Sequence, residues 1–459
     1  MEIHLAPEEY HTVHLIGIGG ISMSGIACIL QNMGFAVQGS DQSSTPLTEK
    51  LRKRGIKCIR GHRAENITGA ELVVYTAAIP AANPELIAAR EQGLPVLERS
   101  AFLGLLMDRY QRSIAVAGAH GKTTTTSMIA TTLVKGMLDP TILVGGELDT
   151  IGGNFRTGNS DIFVTEACEY VDSFLRLNPW LAVILNIDED HLDYFLNIDN
   201  IKRSFRSFME KVKPDGRLIV NGDHHHIKDM LGGLKPEIVT YGFSRSNRIS
   251  ADSIKPFPSG RVNYTLFFDG KKAGEMELNV PGQHNVLNSL AAIGVAQSLG
   301  LTIEQIHDGL STFRGTRRRF EVKGNTLSGA RIIDDYAHHP DEIEKTLAAA
   351  STLEYNQLWV IFQPHLYSRT RQFLDNFARV LSKAPNLIIT DIYGARESND
   401  GSVSSADLTC RIQEMGGNAL YIPSLEEAIA FLGNHLGAGD LLLTLGAGDV
   451  YKVGDELVS

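Results

Sequence analysis

The sequence contains few cysteines: there are four among 459 residues, and none pairs with another in a C-x-x-C spacing. Scattered cysteines favour neither a disulfide framework nor a zinc site. Isolated thiols are typical of a reducing compartment, so the expected location is the cytoplasm. The N-terminus also lacks a cationic start followed by an apolar run, and we therefore expect no signal peptide.

Long hydrophobic runs and an excess of positive charge are also missing. No stretch approaches the roughly 20 apolar residues of a membrane-spanning helix, so no membrane partner is expected. Lys and Arg total 43 against 53 Asp and Glu, which gives a formal net charge of −10. Because nucleic-acid-binding proteins normally carry a basic face, the charge argues against that class. A local pocket on an acidic protein can still be basic and bind a small anion.

What the chain does show is an alternation of short apolar runs with longer amphipathic stretches, which is typical of an α/β protein. At about 150 residues per domain, its length favours three domains. Changes in the pattern predict domains over residues 1–105, 106–312 and 313–459. Within the second region, residues beyond 242 resemble β-hairpins, and a helix is predicted over residues 283–300.

Residues 116–126 (VAGAHGKTTTT) place a glycine-bracketed loop between an apolar strand and a threonine-rich helix start. In such a loop the backbone N–H groups converge on phosphates. Lys122 would neutralise phosphate charge, and the Thr123 hydroxyl would hold Mg²⁺. The loop is a shortened phosphate-binding motif, because Val116 stands where the first glycine is usual. We predict ATP binding by Gly118, Ala119, His120, Gly121, Lys122, Thr123 and Thr124.

A second glycine turn follows the first predicted strand, in LIGIGGISMSG (residues 15–25). A turn of this kind can approach a diphosphate closely, although Ser22 stands where a dinucleotide fingerprint has its third glycine. Asp41 ends the next strand, where an acid that binds ribose is expected. A purely structural tight turn is the alternative. The predicted ligand residues are Gly17, Gly19, Gly20, Ser22, Met23, Ser24 and Asp41.

Acidic and histidine side chains follow several later strands. Glu166 and Glu169 lie in TEACEYVDSF, while Asp188, Asp190 and His191 lie in NIDEDHLDYF. Ligands gather at the carboxyl ends of strands in open α/β sheets, and carboxylates suit Mg²⁺. Most of these acids are typical of a solvated loop, but Glu166 and His191 are predicted to be functional. The run of histidines at 224–226 is interpreted as an exposed turn.

Seven motifs occur in a fixed order: HLIGIGGISMSG, GAHGKTTTT, NIDEDHLDYF, PGQHNVLNSLAA, RRRFE, DDYAHHPDE and FQPHLYSRT. In this order they resemble the Mur ligase family over essentially the whole chain. The resemblance implies a Rossmann-like N-terminal domain that binds a UDP-sugar. It also implies a central P-loop ATPase α/β domain and a Rossmann-like C-terminal α/β domain that binds an amino acid.

The resemblance further implies an ATP-dependent, amide-forming ligase of peptidoglycan precursor synthesis. Its substrates would be UDP-N-acetylmuramate and L-alanine, joined through an acyl phosphate, with Mg²⁺ as cofactor and Mn²⁺ tolerated. A monomer or weak homodimer is expected. The implied catalytic residues are Lys122, Glu166, His191, His339 and Arg369, and the implied metal ligands are Thr123, Glu166 and His191. The implied additional ATP contacts are His284, Asn285, Asn288, Arg319 and Asp335.

One motif departs from the family pattern. The segment after Thr165 often reads E-A-D-E-S-D in this subgroup, whereas Cys168 here replaces the acid and Glu166 and Glu169 remain. Two alternatives stay open at this point. One is a recycling ligase of the same family that adds a preformed peptide to the same UDP-sugar. The other is a nicotinamide-dependent oxidoreductase built on the first glycine turn, which the ATP loop disfavours.

Overall fold

Apolar runs rich in Val, Ile and Leu form the central strands, as their length and flanking turn residues predict. The computed structural model describes residues 5–395 and 397–458. Its strands are β1 Thr12–Ile16, β2 Ala36–Asp41, β3 Lys57–Arg60, β4 Leu72–Tyr75, β5 Val96–Glu98, β6 Arg112–Ala117, β7 Thr141–Leu148, β8 Gly153–Arg156, β9 Ile162–Glu166, β10 Leu181–Ile184, β11 Arg217–Asn221, β12 Glu237–Gly242, β13 Ile249–Pro256, β14 Val262–Phe268, β15 Lys271–Leu278, β16 Glu321–Asn325, β17 Arg331–Asp335, β18 Leu358–Phe362, β19 Asn386–Ile389, β20 Ala419–Tyr421 and β21 Leu441–Leu445.

Helices connect most of these strands. They are α1 Ile21–Asn32, α2 Pro46–Lys53, α3 Pro84–Glu91, α4 Arg99–Met107, α5 Lys122–Lys135, α6 Leu192–Phe195, α7 Ile198–Met209, α8 His225–Lys228, α9 Gln283–Ser298, α10 Ile303–Thr312, α11 Pro340–Ala350, α12 Tyr367–Gln372, α13 Leu374–Leu381, α14 Ser405–Glu414, α15 Leu425–His435 and α16 Tyr451–Val458. Short 3₁₀ helices cover Ala64–Ile67, Asp149–Ile151 and Tyr170–Arg176. None of the helices in the described ranges is long and apolar enough to cross a membrane.

The N-terminal sheet has the strand order β3-β2-β1-β4-β5, and all its pairings are parallel. Successive strands are added on one side of β1 (β2, β3) and then on the other side (β4, β5), so β1 lies at a topological switch point. Ligands of open α/β sheets bind outside the carboxyl ends of the strands at such a point. The first glycine turn follows β1 directly. The predicted Rossmann-like architecture is therefore confirmed here, and it places the turn at the edge where a ligand is expected.

The central sheet has ten strands in the order β15-β14-β13-β12-β11-β10-β6-β9-β7-β8. Strand β6, which feeds the ATP loop, lies between β10 and β9 and pairs in parallel with both. The loops that follow these three strands consequently emerge at the same edge. This arrangement brings the segments after Ala117, Glu166 and Ile184 together.

The C-terminal sheet has the order β16-β17-β21-β18-β19-β20, with β16 antiparallel and the other pairings parallel. Strands β17, β21 and β18 are adjacent, so the segments after Asp335, Leu445 and Phe362 share one edge. Two apolar cores flank this sheet, and their buried members all lie within residues 330–453.

By its internal packing the chain divides into two compact units. The first comprises residues 1–252, 265–276 and 287–313, and the second comprises residues 253–264, 277–286 and 314–459. The predicted start of the C-terminal region near residue 313 lies close to the last division. The three sheets agree with the three-domain fold class, while the domain boundaries given above stay a prediction.

Two features of the elements differ from the sequence expectations. The apolar run Leu72–Ile79 (LVVYTAAI) by itself predicts one strand. In the structure β4 ends at Tyr75, and Ile79 N–H donates to Thr76 O (2.9 Å) in a turn. The hairpin of β7 and β8 was not expected, because glycines interrupt its apolar pattern at Gly145 and Gly146.

Candidate active site

The ATP loop occupies residues 118–121, between β6 and α5. Gly118 (φ +150°) and Gly121 (φ +85°) both have backbone angles that favour glycine. A Cβ on Gly121 would also lie 2.9 Å from Asn288 Oδ1. The spacing of the two glycines in the motif therefore has a direct steric cause.

Asn186, which follows β10, fixes the conformation of this loop. Its Oδ1 accepts from His120 N–H (2.8 Å), and its Nδ2 donates to His120 O (2.9 Å). The backbone oxygen of Asn186 accepts from Ala119 N–H (3.3 Å). Gly121 supplies no side-chain cap to α5. The first N–H groups of that helix are thus directed towards the loop, where an anion can bind them.

Lys122 lies at the start of α5 and folds back over the loop. Its Nζ donates to Gly118 O (2.6 Å) and to both carboxylate oxygens of Glu169 (3.0 and 2.8 Å). Burial alone would lower the pKa of Lys122, but the neighbouring groups, Glu169 foremost and then Cys168 and Glu166, together outweigh burial and raise the pKa above its ordinary value. The ammonium group therefore stays charged, as neutralising a phosphate requires.

Two further predicted residues meet at the end of β9. The Thr123 hydroxyl donates to Glu166 Oε2 (3.1 Å), and Gly145 N–H donates to Glu166 Oε1 (2.6 Å). Glu166 is therefore held beside the N-terminus of α5. The carboxylate and hydroxyl oxygens of this pair are the kind of ligand that Mg²⁺ prefers.

His191 follows β10 and lies near a second group of acids. Its Nε2 is 3.9 Å from Glu169 Oε1 and 3.7 Å from Asp190 Oδ2. One donor atom from each of these three residues fits within a mutual distance of 4.8 Å. Carboxylates with one imidazole fit a divalent cation that also binds phosphate oxygens. The sequence prediction underestimated Glu169, whose ion pair with Lys122 only the fold reveals.

A cavity of about 280 Å³ opens beside Glu166. Its lining includes Ser22, which was predicted, together with Arg99, Ser100 and Cys168. Arg99 and Ser100 begin α4 and were missed, because a single Arg-Ser pair carries no motif. The lining of the cavity thus includes both a cation and the Glu166 carboxylate. Burial raises the pKa of the Cys168 thiol, which keeps it protonated.

The first glycine turn has the geometry expected of a close approach. Gly17 has φ +83°, and a Cβ on Gly19 would lie 2.8 Å from Asp41 Oδ2. Asp41 Oδ2 accepts from Gly19 N–H (2.9 Å), and Gly20 N–H donates to Gly17 O (3.2 Å).

The next two predicted residues, Met23 and Ser24, are buried in α1, where the Ser24 hydroxyl donates to Ile21 O (2.8 Å). Asp41 and the glycines of the turn are therefore better candidates for contacts with a ligand than the Met23 side chain, which packs in the core.

Several predicted residues of the second unit lie at the end of β17 or in the segments after β17 and β18. Burial raises the pKa of Asp335 to about 6, against the opposing effect of Arg319. Asp335 accepts from Phe320 N–H (3.0 Å) and Ala337 N–H (2.8 Å). The Arg319 guanidinium lies 5.1 Å from the centre of the Tyr336 ring.

His339 and Arg369 have different surroundings within this unit. His339 is buried and caps α11, with its Nδ1 accepting from Asp341 N–H (3.4 Å). Arg369 Nη1 lies 3.4 Å from His365 Nδ1, and the His365 ring stacks on Tyr393 with centroids 5.9 Å apart. Arg369 and His365 therefore form a local pair, whereas His339 has a helix-capping contact in addition to its predicted role.

The start of α9 contains the three remaining predicted ATP contacts. Burial, followed by the charge of Lys345, lowers the pKa of His284 to about 4, so its ring is neutral at pH 7. Asn285 is buried and donates to Pro281 O (2.7 Å). Asn288 adjoins the ATP loop at Gly121, as described above. Asn288 thus has a predicted ATP residue as its neighbour in the fold.

Three family models match consecutive parts of the sequence. The Mur ligase family catalytic domain matches residues 12–111, the Mur ligase middle domain matches residues 116–296, and the glutamate ligase domain of Mur ligases matches residues 318–448. The chain belongs to the Mur ligase family.

Proteins similar to this Mur ligase are known over its whole length. UDP-N-acetylmuramate–L-alanine ligase of Acetivibrio thermocellus is 47% identical over 98% of this chain and 96% of its own length. The crystal structure of a UDP-N-acetylmuramate-alanine ligase from Thermotoga maritima has a TM-score of 0.83 at 29% identity, covering 97% and 98% of the two chains. A murein peptide ligase from Psychrobacter arcticus has a TM-score of 0.71 at 25% identity over the same shares.

The Mur ligase resemblance read from the seven motifs is thus confirmed, together with the three-sheet α/β fold class. The roles assigned to single residues stay predictions. In this Mur ligase, the first unit holds the ATP loop, Glu166, His191 and the first glycine turn, and the second holds Arg319, Asp335, His339 and Arg369.

Proposed function

We propose that this Mur ligase joins L-alanine to the carboxylate of UDP-N-acetylmuramate in an ATP-dependent reaction of peptidoglycan precursor synthesis, in the cytoplasm. The observation that carries the proposal is the position of Glu166. It is hydrogen-bonded to Thr123 at the start of α5, and it lines the cavity that contains Arg99. A nucleotide bound to the ATP loop and a substrate carboxylate bound in the cavity would therefore both lie beside the Glu166 side chain.

In the first step, an oxygen of the sugar carboxylate attacks the γ-phosphorus of ATP, and the bond to the β–γ bridging oxygen breaks to release ADP. Phosphoryl transfer depends mainly on positioning and charge neutralisation. Lys122 and the N–H groups at the start of α5 supply positive charge at the phosphates. Arg99 would hold the carboxylate, which otherwise repels the γ-phosphate.

Mg²⁺ fits the donors of the first unit, and we assign it to Thr123, Glu166 and His191, with Mn²⁺ as a substitute. A divalent ion bound there would neutralise phosphate oxygens during the transfer. Glu169 is already paired with Lys122. The Lys122 ammonium group must therefore leave Glu169 in order to contact a phosphate.

In the second step, the amino group of L-alanine attacks the acyl carbon. The C–N bond forms, the bond to the phosphate oxygen breaks, and the nitrogen loses a proton. We assign Arg369, beside His365, to the carboxylate of the amino acid, because a guanidinium suits carboxylates. Exclusion of water from the acyl phosphate would prevent its hydrolysis.

The first glycine turn supports a UDP-sugar as the other substrate. Gly17, Gly19 and Gly20 allow the backbone after β1 to approach a diphosphate, at the edge of the sheet where ligands bind. The oxidoreductase alternative loses its support, because the family models match all three regions. The peptide-adding alternative is less favoured, since the similar peptide ligase structure has the lower identity and TM-score.

Phosphate release from ATP and Mg²⁺, with UDP-N-acetylmuramate and L-alanine added singly and together, tests this function. Release should require both substrates. Lys122→Ala should lower kcat at least 100-fold, because it removes a charge from the transferring phosphate. Lys272→Ala is the control, since this lysine is exposed and pairs with Glu275 on the same strand. Release with a tripeptide instead of L-alanine would make the protein a peptide-adding ligase, and no release would refute ligation.

A further inference from the structure

The segment after Glu169 has an unusual backbone conformation. Val171 (φ +48°) and Asp172 (φ +56°) both adopt left-handed angles, although neither is glycine. Such angles are particularly unfavourable for a β-branched residue such as valine. A strained conformation of this kind persists where its surroundings fix it, and it is often found beside functional sites.

Asp172 makes two hydrogen bonds that fix this segment. Its Oδ2 accepts from the Tyr194 hydroxyl (2.7 Å), and its Oδ1 accepts from the Ser204 hydroxyl. Tyr194 lies in α6, three residues after His191, and Ser204 lies in α7. The carboxylate therefore connects the loop that contains Glu166 and Glu169 to the loop that contains His191.

Aromatic contacts join the same two loops. The Tyr170 ring packs on the His191 ring with centroids 4.6 Å apart and an angle of 39° between the planes. It also meets Tyr194 edge-on, with centroids 6.3 Å apart. His191 itself has φ +54°, so its backbone conformation also depends on neighbouring contacts. The Tyr170 ring therefore contacts both the His191 ring and Tyr194, while His191 Nε2 lies 3.9 Å from Glu169 Oε1.

We propose that Tyr194 and Asp172 are positioning residues that, together with the Tyr170 ring, hold the His191 imidazole in place for a divalent cation bound with a nucleoside phosphate. The inference rests on the proposed function, because it takes His191 to be a ligand of that cation. The hydrogen bond fixes the distance between the two loops, and the tilted contact with the Tyr170 ring sets the direction of the imidazole. Neither tyrosine needs to touch the ion.

Binding of Mn²⁺ to the full-length protein with ADP, followed by electron paramagnetic resonance, tests the proposal without turnover. Tyr194→Phe removes the hydroxyl and keeps the ring. It should weaken Mn²⁺ binding about tenfold, as is typical when a partner that orients a ligand is lost. ADP binding in the absence of Mn²⁺ should stay unchanged. The Mg²⁺ concentration at half-maximal phosphate release should rise by a similar factor.

Two further variants separate the hydrogen bond from the ring contact. Tyr170→Leu removes the ring from His191 and should also weaken Mn²⁺ binding, whereas Tyr170→Phe keeps the ring and should bind as the wild type does. The matched control is Tyr421→Phe, because the Tyr421 hydroxyl also donates to an aspartate, Asp391, in the second unit. This control should leave Mn²⁺ binding unchanged.

Wild-type Mn²⁺ affinity in Tyr194→Phe would overturn the proposal, even if its melting temperature fell, because the pair would then be only structural. Equal weakening in Tyr421→Phe would overturn it as well. Failure of the proposed function has a different result, since wild-type protein would release no phosphate with UDP-N-acetylmuramate and L-alanine. Mn²⁺ binding that depends on Tyr194 would support the positioning role even then.

Discussion

At the scale of single residues, Glu85 on α3 shows how a buried charge is stabilised in the N-terminal sheet. Its Oε2 accepts from the Ser40 hydroxyl (2.6 Å) and lies 3.1 Å from His14 Nε2, while its Oε1 accepts from Asn66 Nδ2 (2.5 Å). Burial raises the pKa of Glu85, but the hydrogen bonds outweigh burial and lower the pKa to about 2. Such a group stabilises the fold only while it is ionised.

Glu85→Gln should therefore destabilise the protein in a pH-dependent way. The folded pKa lies below the unfolded value, so the charge contributes stability above about pH 4.5 and loses it as the pH falls towards 2. The expected loss at pH 7 is roughly 3 kcal/mol. Urea unfolding at pH 7 and pH 3 measures it, with the exposed Glu65→Gln as control. An equal loss at both pH values would contradict the role of the charge.

Single functional residues could be predicted where a motif fixes both residue type and local backbone. Lys122 and Thr123 follow a glycine loop, so the sequence alone placed them at a helix start. Glu169 could not be assigned in this way, because its partner Lys122 is 47 residues away in the sequence. Arg99 could not be assigned either, because it joins Glu166 only in the lining of one cavity. Their roles depend on which strands are neighbours, and a local pattern does not contain that information.

At the scale of elements, the buried parallel strands were predicted well, whereas β16 and the β7–β8 hairpin were missed. Strands β6, β10 and β21 are buried on both faces, so they appear as continuous apolar runs. The edge strand β16 is polar (EVKGN), and the β7–β8 hairpin contains two adjacent glycines within β7. Neither has the alternation or apolar content by which a strand is detected.

The junction of β6 and α5 leads to a prediction at this scale. Gly121→Ala should abolish ADP binding measured by calorimetry, because the new Cβ both strains a φ of +85° and crowds Asn288. Gly270→Ala is a matched control, since Gly270 has φ +74° but no atom within 4 Å of the added Cβ. It should lower stability slightly and leave ADP binding intact. Wild-type ADP affinity in Gly121→Ala would show that the loop can rearrange.

At the scale of the whole molecule, the second unit combines a continuous C-terminal part with two short segments from the hairpin region. The six-stranded sheet and both of its apolar cores lie entirely within residues 314–459. Within the unit, Gly282 approaches Ala349 at the end of α11, and Gly260 approaches Leu353 just beyond that helix. The two short segments therefore pack on the outside of this unit, and the apolar cores of its sheet contain none of their residues.

A fragment of residues 314–459 should consequently fold by itself. Because its sheet and cores are complete, we expect a cooperative thermal transition by circular dichroism and dispersed amide signals by NMR. Adding a fragment of residues 1–313 is not expected to be necessary for either. A fragment without a cooperative transition would show that residues 253–264 and 277–286 are essential to this unit.

The close approach of Gly121 and Asn288 also restricts how the gene for this protein can change. All glycine codons begin with two guanines, and every single-base substitution that replaces the residue introduces a side chain with a Cβ. At residue 121 each of these replacements meets the same amide oxygen 2.9 Å away, in a backbone conformation that L-residues rarely adopt. Every replacement that one base change can produce is therefore strained at this position, and selection should favour glycine there for as long as the loop binds a nucleotide.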